Sequence, residues 1–147
     1  MIYLDNAATT PLLPEVAQEM FEISLSVMGN PSSIHNAGRA AAKLIRQARE
    51  DIANVLHIPS DHLIFTSGGS EANTQALLGY ALANRDKGNH LVTTAIEHHS
   101  VLNTFEYLRD RHNFDITIIQ PDSDGIYTPD MVLDALRDDT IQIGRAS

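Results

Sequence analysis

Cysteine is absent from the 147-residue sequence. That excludes a disulfide framework, a zinc site of the cysteine type and any thiol nucleophile supplied by this chain. Basic residues are scarce: ten Lys plus Arg against nineteen Asp plus Glu leave a net charge of -9, a balance that repels a phosphate backbone. Nucleic acid is therefore not an expected partner. No apolar run approaches the roughly 20 residues needed to span a bilayer, so no membrane is expected either. Met1 is followed by Ile2, Tyr3, Leu4 and Asp5 rather than by a basic region and an apolar run. No export signal is read there, and a cytoplasmic location is the expectation. Internal repeats, low-complexity segments and long polar linkers are also missing, which predicts a single unit.

What is present, 43% hydrophobic and 20% charged residues, is the make-up of a globular protein with a core. Residues 14–27 open with Pro14, suited to the first turn of a helix, and place Val16, Met20, Phe21 and Leu25 on one face. Residues 29–33 (GNPSS) read as a loop. Between residues 37 and 56, Ala41, Leu44, Ile45, Ala48, Ile52, Val55 and Leu56 recur at helical spacing. The opposite face carries Arg39, Lys43, Arg46, Arg49, Glu50 and Asp51, a solvated stripe with some paired charges. A buried strand is predicted at residues 62–66 (HLIFT), then a helix at 71–83, a strand at 90–94, a helix at 100–111, a strand at 114–120 and a helix at 129–137. Such alternation predicts an α/β fold with a mainly parallel sheet, the first two helices standing outside the repeat.

Two junctions carry candidate chemistry. In FTSGGSEAN, residues 65–73, Gly68 and Gly69 lie between a strand pattern and a helix pattern. There the backbone can approach a ligand, and the first-turn N–H groups point outward to an anion. Ser70 offers a hydroxyl to a phosphate oxygen, although Ser70 with Glu71 and Asn73 is equally good capping chemistry. Neither a P-loop nor a GxGxxG spacing is present. In TTAIEHHSV, residues 93–101, Glu97, His98 and His99 fall at the carboxyl edge of the predicted sheet, where α/β folds bind ligands. A histidine there stacks on a ring, acts as a base or caps the helix. Adjacent histidines do not share a helical face, so HExxH-type zinc chemistry is not expected, and no metal site is predicted.

Taken together, YLDNAATTP (3–11), GNPSSIHNAGR (29–39), FTSGGSEAN (65–73) and TTAIEHHSVL (93–102) resemble cysteine desulfurases, the pyridoxal-phosphate enzymes of iron–sulfur cluster assembly. The resemblance covers residues 2–141 and well under half of a complete family member. It implies part of the mainly parallel-sheet large domain of a fold-type I, class V aminotransferase-like enzyme, with an active site at a homodimer interface. By resemblance, Gly69 and Ser70 match the turn that binds the cofactor phosphate, and His98 matches the histidine stacked on the pyridine ring. His99 matches no ligand. Residues 6–9 match a segment near the active site, and Asn30 and His35 match a loop. The parent reaction so implied converts L-cysteine to L-alanine and passes the sulfur to an enzyme cysteine as a persulfide.

The family's cofactor-holding lysine, ring-nitrogen aspartate and sulfur-accepting cysteine have no counterparts here. Lys43 and Lys87 fall on predicted helix faces, so the chain is expected to hold no catalytic residue and to be inactive alone. After Ile141 the sequence QIGRAS leaves the expected strand, which divides the chain into residues 1–141 of family sequence and a non-family tail, 142–147. Competing expectations are a non-catalytic partner of a full-length desulfurase and a truncated product without function.

Overall fold

The computed structural model describes residues 2–144. Instead of one unit the described residues form two, one ending at Ile64 and one beginning at Phe65. The junction falls inside the predicted strand 62–66, and that strand does not form. A single 3₁₀ turn, Ser60–His62, is followed by residues 63–66 without sheet pairing, and Ile64 and Phe65 are exposed rather than buried. An extended segment becomes a strand only when a neighbour takes its N–H and C=O groups, and the sheet found among the described residues is built from other segments.

The first unit holds helices α1 (Pro14–Ser26) and α2 (Asn36–Leu56). Pro14 opens α1 as the sequence predicts, but the helix buries none of its residues. Helix α2 starts at His35, whose Nδ1 accepts a hydrogen bond from the Gly38 N–H (3.2 Å). It buries Gly38, Ala41 and Ala53. The loop before it leaves no room for side chains at two glycines. A Cβ on Gly29 would fall 2.1 Å from the Ala37 carbonyl oxygen, and one on Gly38 2.4 Å from that of Ser33. Arg49 on the charged stripe is more than solvated, because its Nε donates to the Leu63 carbonyl.

The second unit is the predicted α/β alternation: α3 (Gly69–Ala83), β1 (His90–Thr94), α4 (His99–His112), β2 (Asp115–Ile119), α5 (Pro129–Ala135) and β3 (Thr140–Gly144). The three strands are all parallel, in the order β2-β1-β3. The predicted break after Ile141 is absent, since Gln142, Ile143 and Gly144 pair with Leu91, Val92 and Thr93. One extra residue on β3, Ile141, is absorbed at an irregularity opposite His90 and Leu91. Residues 145–147 of the predicted tail lie outside the described residues. Leu91 packs with Leu77 and Ala81 of α3, with Val101, Phe105 and Leu108 of α4 and with Phe114; Ile116 and Ile141 join that core. The sheet thus holds α3 and α4 on one face.

His90 is 0% exposed. Its Nδ1 lies 2.6 Å from Thr140 Oγ1 and its Nε2 2.8 Å from Thr117 Oγ1, so a neutral ring bridges both neighbouring strands. Arg137 hydrogen-bonds Asp139 through two nitrogens and also reaches Asp115. Burial, reinforced by the Arg137 charge and opposed by Asp115 and Asp139, holds the His90 pKa below its ordinary 6.5. The unfolded chain therefore binds more protons than the folded one just below that pH, and stability falls as the pH drops. We expect the urea midpoint to decline on acidification from about 6.5, before the carboxylates titrate, and His90→Gln to flatten that part of the profile. A wild-type midpoint constant down to the carboxylate range would contradict it.

Candidate functional site

Gly68 is the N-cap of α3, in an extended conformation and without a side-chain cap. The N–H groups of Gly69 and Ser70, in the first turn, have no intrahelical acceptor. Sequence alone left Ser70 open to either capping or ligand binding. Here Glu71 Oε2 accepts from the Ser67 N–H (2.7 Å) and the Ser67 hydroxyl (2.6 Å), which ties the residue before the cap to the first turn. These two bonds hold the Glu71 pKa below the ordinary carboxylate value. No side-chain bond caps α3, so its first-turn N–H groups stay open where the helix dipole favours an anion.

His98 stands at the equivalent place on α4. It is the N-cap, and its Nδ1 accepts from the Ser100 N–H (3.1 Å). The bland expectation of a helix-capping histidine is met, yet capping uses only one edge of the ring. The amino-terminal ends of α3 and α4 lie side by side. Asn73 Nδ2 donates to Ser100 Oγ (2.9 Å), and Thr74 and Thr104 meet through their hydroxyls (3.3 Å).

Between these ends is a cavity of about 530 Å³ lined by Ser70, Thr74, His98, Ser100, Thr104 and Tyr107 among others. Ser70 and His98, predicted separately, therefore share one cavity, while Gly69 precedes Ser70 in the first turn of α3 and is not among the lining residues. A second cavity of about 670 Å³ opens over the other sheet face. It too reaches His98, together with Thr94, Glu97, Ile119 and Tyr127, but not Ser70. His99 meets His98 edge-on, with ring centroids 6.2 Å apart. No metal-binding group of His, Asp or Glu occurs among the described residues.

Other sequence candidates have local duties in the first unit. Asn30 Oδ1 accepts from the Ser32 N–H (2.9 Å), His35 caps α2, and residues 6–9 form an exposed turn in which Asp5 O accepts from the Ala8 N–H (3.1 Å). Lys43 is exposed on α2. Lys87 lies not on a helix face but in the turn after α3, where its Nζ donates to Asn84 Oδ1 (2.7 Å). The sequence missed the pairing of Asn73 with Ser100. Both stood in singled-out motifs, but nothing local joins residues on different helices.

A parallel α/β sheet with two helix amino termini at one cavity is here part of the large domain of a fold-type I pyridoxal-phosphate enzyme. A solved NifS-like protein superimposes with a TM-score of 0.83 at 30% identity, over 94% of this chain and 38% of that one. The chain belongs to the aminotransferase class-V family, whose model matches residues 2–143. It is 46% identical over 142 residues to the putative cysteine desulfurase IscS 1 of Bacillus subtilis (strain 168), a match that covers 97% of this chain and 37% of that protein. A solved structure of SspA in complex with cysteine matches at 36% identity with a TM-score of 0.81, over 93% of this chain and 39% of that one. The chain thus spans little more than a third of the length of these relatives. No helix among the described residues is long and apolar enough to cross a membrane.

Proposed function

We propose that the chain carries the phosphate-binding and ring-stacking part of a cysteine desulfurase site: Gly69 and Ser70 for the phosphate of pyridoxal phosphate, His98 for its ring. The observation that carries this reading is the shared cavity of Ser70 and His98 at two adjoining helix amino termini. The donor set fits the group. Two N–H groups, one hydroxyl and the α3 dipole suit a phosphate, and the imidazole supplies a flat face. Glu71, the nearest carboxylate in the turn, is tied back to Ser67.

Bound there, pyridoxal phosphate supplies an electron sink for bond cleavage in an amino acid. The chain's own part is to bind and orient: the turn fixes the phosphate and His98 sets the plane of the ring. In the whole parent enzyme the substrate is L-cysteine, the sulfur passes to an enzyme cysteine for iron–sulfur cluster assembly, and two copies form the site. A cytoplasmic location belongs to the same reading. The 147-residue chain by itself binds but does not turn over. A second reading, a non-catalytic partner of a full-length desulfurase, is favoured by α1, whose Leu25, Met20 and Phe21 are all exposed.

A helix terminus contributes about 0.3–1 kcal/mol to an exposed anion, and nothing here anchors the ring covalently. Affinity should therefore be on the order of −4 to −5 kcal/mol, in the high micromolar range or weaker. Calorimetric titration with pyridoxal phosphate and with pyridoxal tests it. The phosphate ester should bind more tightly, and Ser70→Ala or His98→Ala should each weaken it about 2–10-fold, the loss of one hydrogen bond or one stacking contact. Equal binding of both compounds, unmoved by either substitution, would refute the proposal.

A further inference from the structure

We propose that Ser100 and Asn73 are positioning residues that hold the His98 ring as the tautomer protonated at Nε2. The geometry leaves little choice. The Ser100 N–H points at His98 Nδ1 (3.1 Å), and an N–H only donates, so Nδ1 must present its lone pair and the ring proton sits on Nε2. Ser100 Oγ lies 2.8 Å from the same nitrogen. Because Nδ1 carries no proton, the hydroxyl is the donor in that contact and shares the single Nδ1 lone pair with the N–H, while its oxygen accepts from Asn73 Nδ2 (2.9 Å). A relay thus runs from the Asn73 amide through the Ser100 hydroxyl to the ring. Thr104, which donates to the Ser100 carbonyl (2.7 Å) and meets Thr74 on α3, braces it from behind.

The consequence is chemical. With Nδ1 fully engaged, the only polar group the neutral ring offers to either cavity is a donor. His98 can therefore give a hydrogen bond to an electron-rich atom of a bound ring or substrate, but in this state it has no lone pair with which to take a proton. The tautomer follows from the hydrogen bonds alone, whereas its use toward a cofactor ring rests on the function proposed above. The two are tested apart by a measurement on the cofactor-free chain.

Nitrogen-15 NMR of the full 147-residue chain, above the pH at which imidazole protonates, reads the tautomer directly. We expect a pyridine-type Nδ1 and a pyrrole-type Nε2 for His98. Ser100→Thr should keep that pattern. Ser100→Ala, which keeps the backbone N–H on Nδ1 but loses the hydroxyl and its link to Asn73, should move both resonances part of the way toward the averaged position of a free imidazole. Asn73→Asp, whose carboxylate would draw the Ser100 hydroxyl proton to itself, should do the same. An averaged pattern or a pyrrole-type Nδ1 in the wild type would overturn the proposal, and that reading stands even if a variant fails to fold. So would wild-type shifts in both folded Ser100→Ala and Asn73→Asp. Failure of pyridoxal phosphate to bind leaves the tautomer result intact and counts only against the function.

Discussion

Replacing Phe105 by alanine should lower the stability of the second unit by about 3–5 kcal/mol, the cost of emptying a large aromatic site in a core that only partly collapses. Phe105 is 1% exposed and belongs to the one cluster that joins α3, α4 and the sheet. Its ring also lies under β3, so close that a Cβ on Gly144 would come within 2.5 Å of two ring atoms. The substitution therefore removes contacts to both helices and the edge strand at once. Against a total of about 5–15 kcal/mol for a typical domain, that is a large share of the stability. Phe105→Leu, which keeps much of the volume, should cost far less. Urea unfolding followed by far-ultraviolet dichroism checks this, and a loss below about 1 kcal/mol for the alanine variant would mean that the ring does not organise the core.

Incubation of the chain with L-cysteine and pyridoxal phosphate should release no sulfide and no alanine. By the family resemblance, the chemistry needs a covalently anchored cofactor and a thiol to receive the sulfur. The chain has no cysteine. Of its two lysines, Lys87 follows the carboxyl end of α3, while Ser70 sits at the amino end. The 15 residues of that helix span about 22 Å at 1.5 Å per residue, more than a lysine side chain reaches. Lys43, exposed on α2, matches no cofactor-holding lysine by the same resemblance. Borohydride treatment with cofactor present should accordingly leave the mass of the chain unchanged. Turnover in protein free of host enzyme, or stoichiometric reduction onto either lysine, would contradict this.

The α/β alternation was legible because α3, α4 and β1 carry local signals: apolar spacing, glycine before a helix, and a short run rich in apolar and β-branched residues. Strand β1 was read at its observed limits. The misread segments depend on partners that no local pattern names. Residues 62–66 have the composition of a strand but do not join the sheet found among the described residues, and residues 142–144 continue β3 because β1 accepts them. His90 lay inside a correctly read strand, yet its polar bridge to Thr117 and Thr140 belongs to the tertiary structure. The motifs single out Gly69, Ser70 and His98, and the fold brings Ser70 and His98 to one cavity. What sequence left open was whether Ser70 caps its helix; the cap position of α3 is Gly68, and no side-chain bond caps that helix.

The most direct measurement is an amide-shift titration of the chain with pyridoxal phosphate. If Gly69, Ser70 and His98 form one site, the perturbations will centre on Gly68 to Glu71 and on His98, and will shrink in Ser70→Ala and His98→Ala. Perturbations confined to other residues, or unchanged in those variants, would show that the motifs persist in this chain without the binding they resemble.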